Sequence, residues 1–199
     1  MSDQATPGTD TTRYRTIVAD PPWAYPTPGD LGGMKRDGTP TMGAGSIKRY
    51  GGMSLPDLYE LAPPADDNAH LYLWTTNAFM VQAHNLASAW GFNVKTICTW
   101  VKTYQGDPER VSMKTGYYFR GATEHFLFGV RGSLPLQTHD ALPTAYLWPR
   151  LPHSVKPDAF YDLVEEASPG PYLEMFSRRA RLGWDTWGDE ALHGTELVA

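Results

Sequence analysis

Two consecutive prolines, Pro21 and Pro22, stand directly behind Asp20 and the short β-prone run from Thr16 to Ala19. Neither proline has a backbone N–H to give to a sheet ladder, so a buried strand in this segment must end there, with Asp20 at its carboxyl end. Downstream, strands and helices alternate. His70 to Thr75 reads as a strand, Asn77 caps a helix carrying Phe79, Val81, Leu86, Ala87 and Trp90, Gly91 stops it, and Val94 to Val101 returns to strand. Ser54 can cap a shorter helix with Leu55, Leu58 and Leu61, ended by Pro63 and Pro64. Glu124 to Val130 is a further strand. Pro157 then opens a helix with Phe160, Leu163, Val164 and Ala167 at amphipathic spacing, and Tyr172 to Phe176 is the last convincing strand. This alternation predicts a mostly parallel sheet covered by helices on both faces, with ligands outside the carboxyl ends of the strands.

With 199 residues, 41% of them hydrophobic, the chain can bury one substantial core, and a single domain over residues 14–199 is expected. Residues 1–13 are polar, without the apolar segment of a secretory leader, and read as a disordered tail. No apolar run approaches the roughly 20 residues that cross a bilayer. Cys98 is the sole cysteine, which excludes an intramolecular disulfide framework, and a soluble cytoplasmic protein is expected. The region 26–52, dense in Gly, Pro and Thr and lacking a hydrophobic period, reads as a substrate-facing loop.

The net charge of −5 argues against an extended basic surface, so affinity for nucleic acid has to be local or shared with a partner. Two loops are locally basic, one through Lys35, Arg36, Lys48 and Arg49, the other through Lys102, Arg110, Lys114 and Arg120. Phosphate contact and simple solvation account for them equally well.

Asp20 and the carbonyl of Pro21 form a pair of acceptors on a loop stiffened by proline, with Trp23 as an adjacent aromatic face. Such a pair suits the exocyclic amino group of adenine, a poor nucleophile because its lone pair is delocalised into the ring. Two acceptors can take its two hydrogens and localise that pair, while stacking on Trp23, helped by Tyr25, holds a base displaced from its stack.

The motif Asp20-Pro21-Pro22-Trp23 resembles the signature of the family that contains the catalytic subunit of the eukaryotic mRNA adenine methyltransferase and many bacterial and phage DNA adenine methyltransferases. The likeness continues through Tyr50-Gly51, Leu73-Trp74-Thr75, Trp100-Val101-Lys102-Thr103, Gly121, Glu124-His125 and Gly129-Val130. It extends through His153-Ser154-Val155-Lys156-Pro157-Asp158, the run Leu173 to Arg178, Gly183-Trp184-Asp185 and Gly188-Asp189-Glu190, covering roughly residues 15–190.

The resemblance implies a Rossmann-like class I S-adenosylmethionine-dependent methyltransferase fold with a mostly parallel seven-stranded sheet. It also implies a permuted motif order, with the catalytic loop ahead of the main cofactor-binding strand. It assigns Asp20, Pro21, Pro22 and Trp23 to the catalytic loop, and Asp20, His153, Ser154, Lys156, Phe176, Ser177, Arg178, Asp189 and Glu190 to S-adenosylmethionine. Tyr50, Lys102, Arg120 and Glu124 are implied as substrate contacts, joining Tyr25, which is expected there for its aromatic face. Lys156, just ahead of a helix start that favours anions, is implied to reach the cofactor carboxylate.

Two departures from the family pattern stand out. The family more often has an amide at the Asp189 position, and it commonly supplies a cofactor-contacting segment before the first strand, where this chain has a short polar tail. His125 is assigned no chemistry, and no zinc-ligand spacing or other metal site is present. The expected acceptor is adenine in DNA rather than RNA, in a bacterial or phage-infected cell, with a homodimer or a partner subunit completing the binding surface. The alternatives are an RNA adenine methyltransferase and a non-catalytic nucleic-acid-binding subunit.

Overall fold

The computed structural model describes residues 13–23, 53–114, 118–152 and 155–187. In chain order the elements are β1 (Tyr14–Ala19), α1 (Leu55–Glu60), β2 (Ala65–Thr75), a 3-10 turn (Asn77–Phe79) leading into α2 (Met80–Ala89), β3 (Asn93–Tyr104) and β4 (Asp107–Val111). They continue with β5 (Thr123–Arg131), β6 (Ala145–Pro149), α3 (Asp158–Ala167), β7 (Tyr172–Met175) and β8 (Trp184–Trp187).

The strands form one eight-stranded sheet in the order β4-β3-β5-β2-β1-β7-β8, with β6 paired to β3. This corrects the expected seven-stranded, mostly parallel sheet. β1 pairs parallel with β2 and β7, β7 with β8, and β3 with β6, whereas β5 runs antiparallel to both β2 and β3, and β4 antiparallel to β3. The reason lies in the connections. Parallel neighbours need a crossover, normally a helix, and among the described residues no helix separates β3, β4 and β5. β4 is exposed along its whole length, and its sequence DPERV offers no alternation that would mark it as a strand.

The helices do cover both faces. Odd-numbered strand residues, among them Ile17, Ala19, Leu71, Leu73, Leu127, Leu173 and Met175, pack with Leu58 of α1 and with Ala83, Leu86 and Ala87 of α2. Even-numbered residues, among them Val18, Tyr72, Trp74, Cys98, Trp100 and Phe126, pack with Phe160, Tyr161 and Val164 of α3. This is the period-2 alternation of a sheet buried on both sides. Trp90 ties α1 to α2, its Nε1–H donating to the carbonyl of Leu58 at 3.0 Å.

Local chemistry explains how the helices begin. Ser54 caps α1, its Oγ accepting from the backbone N–H of Asp57, with Pro56 in the first turn. Asn77 does not cap α2 as expected. No side chain caps either the 3-10 turn or α2, and Asn77 Oδ1 lies 2.6 Å from Nε2 of His125. Val81 is 70% exposed and outside the core. Pro157 stands one position ahead of the first helical residue, Asp158.

At the end of the sheet opposite Asp20, fully buried His70 closes a directional polar chain. Its Nε2 faces the carbonyl of Leu134 at 2.9 Å, so that nitrogen carries the proton, and Nδ1 is left to accept from Ser168 Oγ at 2.7 Å. Ser168 in turn accepts from the Tyr72 hydroxyl at 2.7 Å. Burial holds the His70 pKa below its ordinary value. Because the folded state favours the neutral ring, the stability it contributes is full above the unfolded pKa and is lost as pH falls through the folded one. The stability advantage of the wild type over His70→Asn is therefore expected to narrow between about pH 7.5 and about pH 5. Urea titrations at both pH values check it, and a gap that stays constant or widens rules the chain out.

Candidate functional site

Asp20 leaves the carboxyl end of β1. β2 runs parallel to β1, and β5 and β3 bring their own ends to the same edge, Thr75 pairing with His125 and Trp100 with Glu124. Lys102 and Glu124 continue the even-numbered alternation of Trp100 and Phe126, so they stand on the α3 face of the sheet. Lys156 enters from the residues just before α3.

These side chains form an alternating line of charge. Lys156 Nζ lies 2.9 Å from Asp20 Oδ2 and 3.2 Å from Glu124 Oε2, and the other oxygen of Glu124 accepts from Lys102 Nζ. The structure thus brings Asp20 and Lys156, expected at the cofactor, together with Glu124 and Lys102, expected at the substrate, and both oxygens of Glu124 are engaged by lysines. The ammonium groups are also seated on aromatic faces, Lys156 4.5 Å from the ring centre of Trp74 and Lys102 4.3 Å from that of Trp100.

Burial and pairing compete at each group. For Lys156 burial alone would lower the pKa, but the carboxylates of Asp20 and Glu124 outweigh it and hold the ammonium above its ordinary value. Burial likewise pushes Glu124 up, and the attraction of Lys156 and Lys102 prevails and brings it below the usual carboxylate range. Lys102 goes the other way. Burial lowers it, Glu124 only partly offsets that, and neighbouring Lys114 and Lys156 add to the depression.

The loop after β1 is tied down at several points. Pro21 accepts from the backbone N–H of Trp23 at 2.7 Å, a γ-turn closure, and Pro22 accepts from the N–H of Met53 at 3.2 Å. Among the described residues the Pro21 carbonyl accepts this one hydrogen bond, and a carbonyl oxygen has a second lone pair. The Trp23 indole, only 8% exposed, stacks on Phe79 at 5.4 Å with 12° between planes, and its Nε1–H donates to the carbonyl of Trp74 at 3.2 Å. The expected open stacking face is thus covered by Phe79, because the odd-numbered core on the α1–α2 side draws the ring inward. In this geometry Trp23 anchors the loop.

β7 pairs with β1 so that Met175 stands opposite Ala19, which puts Phe176, Ser177 and Arg178 beside Asp20 in the next strand-end turn. Phe176 has φ 63°, a left-handed conformation that side chains rarely adopt and that often marks a functional turn. Ser177 is buried and its hydroxyl is shared between Glu174 Oε2 at 3.1 Å and the carbonyl of Arg179 at 2.7 Å, while Arg178 is exposed. Glu174 was not singled out from the sequence. It accepts from Tyr161 Oη at 2.6 Å, and burial raises its pKa. Its signal was available, an acid between the apolar strand residues Leu173 and Met175.

Arg120 is exposed on the connection into β5, apart from the charge line. Tyr25, Tyr50, His153, Ser154, Asp189, Glu190 and the 26–52 loop lie outside the described residues. His125 is bonded to Thr99 Oγ1 at 3.0 Å and to Asn77, a structural role that needs no chemistry.

Trp74 was likewise unassigned from the sequence. It is 1% exposed, and among the described residues its Nε1 is a buried donor with no hydrogen-bond partner. Leaving such a group unpaired costs about 1–3 kcal/mol, so an acceptor that entered this site beside Lys156 would gain from meeting it.

Comparison with known proteins adds an independent line. The family model MT-A70 matches residues 14–190. The type II methyltransferase M.MunI of Mycoplasma sp is 29% identical over 212 residues, covering 94% of this chain and 82% of that protein. The human N(6)-adenosine-methyltransferase catalytic subunit METTL3 is 27% identical over 190 residues, covering 94% of this chain and 29% of the relative. A Drosophila melanogaster N(6)-adenosine-methyltransferase MT-A70-like protein is 28% identical, with 94% and 28% covered. The chain therefore spans most of the Mycoplasma protein and less than a third of these eukaryotic ones.

Proposed function

The chain belongs to the MT-A70 family, and on that premise we propose that it is an S-adenosylmethionine-dependent enzyme that methylates the exocyclic amino nitrogen of adenine in DNA. The observation that carries this reading is Asp20, held at the carboxyl end of a buried strand and paired with the buried ammonium of Lys156. Similarity that runs over 82% of the type II methyltransferase, against 29% of the human adenosine methyltransferase, is what supports DNA over RNA as the acceptor.

When bound, the cofactor supplies an electrophilic methyl group on a positively charged sulfur. The donor set fits a ligand carboxylate, since the buried ammonium of Lys156 lies 4.5 Å from the ring centre of Trp74, whose N–H is a buried donor without a partner among the described residues. Phe176, Ser177 and Arg178 are assigned to the ribose and amino-acid portion of that ligand and Asp189 and Glu190 to its ribose, with His153 and Ser154 as further contacts. Asp20 and the second lone pair of Pro21 accept the two hydrogens of the adenine amino group and aim its nitrogen at the methyl. Pro22 and Trp23 keep those acceptors rigid, the first through Met53 and the second through Phe79 and Trp74. Tyr25, Tyr50, Lys102 and Arg120 are assigned to the target strand and base, and Glu124 acts on substrate through the lysines it holds. No helix of the described residues is long and apolar enough to cross a membrane, and a cytoplasmic site of action is proposed.

The test is to incubate the protein with isotopically labelled S-adenosylmethionine and duplex DNA, single-stranded DNA or RNA, then identify the labelled nucleoside by mass spectrometry. N6-methyldeoxyadenosine is the expected product. Label in RNA alone would move the acceptor to RNA, and cofactor binding without transfer to any acceptor would favour a non-catalytic subunit. Because the net charge is −5, DNA binding is expected to be weak unless a second copy or a partner subunit completes the surface. Binding that stays tight at high salt would contradict that expectation.

A further inference from the structure

The line Asp20–Lys156–Glu124–Lys102 contains two carboxylates and two ammonium groups and so balances in charge. Its members differ in access. The side chain of Asp20 is 36% exposed, against 9% for Lys156, 21% for Glu124 and 8% for Lys102. A ligand therefore meets this line at its Asp20 end, where Oδ2 is already bonded to Lys156 at 2.9 Å. A carboxylate oxygen engaged by an ammonium ion is a poorer acceptor for a neutral amino group than a free one.

Lys156 has three N–H donors, two of them directed at Asp20 and Glu124. A third carboxylate bound to it would set three anions against two cations in a partly dry cluster, where like charges repel strongly. Glu124 is fastened by Lys102 as well as Lys156, so it stays. Asp20, held at one oxygen among the described residues and the most exposed member at 36%, is the one able to leave.

We propose that Lys156 is a specificity-determining residue that keeps Asp20 engaged until the carboxylate of the methyl donor takes its place, so that capture of adenine depends on a carboxylate-bearing co-ligand. This rests on the function proposed above. It makes the two binding events cooperative in the order donor first, base second, and the same coupling must appear in both directions.

The experiment measures binding rather than turnover. Affinity for oligodeoxyadenylate, with oligothymidylate as the base control, is determined by fluorescence anisotropy alone, with saturating S-adenosylhomocysteine, and with its saturating decarboxylated analogue. S-adenosylhomocysteine is expected to tighten oligodeoxyadenylate binding about tenfold, within the usual range of coupling between sites, and to leave oligothymidylate unchanged. The decarboxylated analogue is expected to bind without that gain. In Asp20→Asn, where no ion pair has to be released, the difference between the two co-ligands should vanish.

Equal tightening by both co-ligands, or none by either, overturns the inference and leaves the methyltransferase reading standing. Failure of S-adenosylhomocysteine to bind at all overturns both, whereas oligodeoxyadenylate that fails to bind even in its presence overturns the inference alone.

Discussion

Asp20→Ala is expected to lower the single-turnover rate of methyl transfer by about 10²–10³-fold, equivalent to roughly 3–4 kcal/mol of transition-state stabilisation. The size follows from what the carboxylate does. As the nitrogen gives up its lone pair to the methyl carbon, its hydrogens become more acidic, so an acceptor fixed at the end of β1 bonds them more strongly in the transition state than in the ground state. The loss should therefore appear in kcat, and more strongly in kcat/KM, since Asp20 also takes part in capturing the base. Asp20→Asn keeps a neutral acceptor and should fall less. The fold should survive either change, because Lys156 retains Glu124 at 3.2 Å. A variant lacking Asp20 that kept half the wild-type rate would sink the assignment of this residue.

Glu124→Ala is expected to be the most destabilising substitution in the charge line, by about 3–5 kcal/mol, the cost of leaving a buried ion without its partner. The residue serves two lysines at once, Lys102 on one oxygen and Lys156 on the other, both lysines nearly fully buried. Glu124→Gln should cost less, since it keeps one acceptor oxygen. The pH dependence has a definite sign. With its pKa depressed by the two lysines, Glu124 contributes stability that is present above the unfolded carboxylate pKa and disappears as pH falls through the folded one. The gap between wild type and Glu124→Gln in denaturant titrations should therefore close in acid. Lys156, whose pKa is raised, contributes at every pH below that of an ordinary lysine and loses the contribution only in strong alkali. A Glu124→Ala protein as stable as wild type would show that the ammonium groups find water or other partners instead.

The sequence carries Asp20 clearly because proline chemistry is local. A residue without an N–H ends a strand wherever it stands, so the end of β1 follows from two positions. The helix of Phe160 and Val164 was equally legible, its apolar stripe facing the sheet as the spacing requires. What could not be read was which strands neighbour one another. Glu124 and Lys102 are 22 residues apart and lie together only because β5 folds back antiparallel on β3, with no helix between them among the described residues. Trp23 shows the other limit. Its motif suggests a platform for a base, but whether an indole faces a ligand or a core depends on the neighbour that reaches it, and Phe79 does so from 56 positions away. Glu174 and Trp74 were visible as an acid and an indole within strands, but nothing in their spacing says that one is bonded by Tyr161 and the other left without a partner.

The bridge between Trp23 and Met53 has a consequence for how such a protein can change. Residues 23 and 53 are pinned side by side, the first through its indole to Phe79 and Trp74 and the second through the Pro22 carbonyl. Whatever lies between them is inserted at a point where entry and exit already meet, and the closure cost of an insert there grows only slowly with its length. The places of Asp20 and Lys156 are thus expected to be insensitive to the length of chain that joins residues 23 and 53, so the two ends of the join, rather than what runs between them, hold the charge line in register.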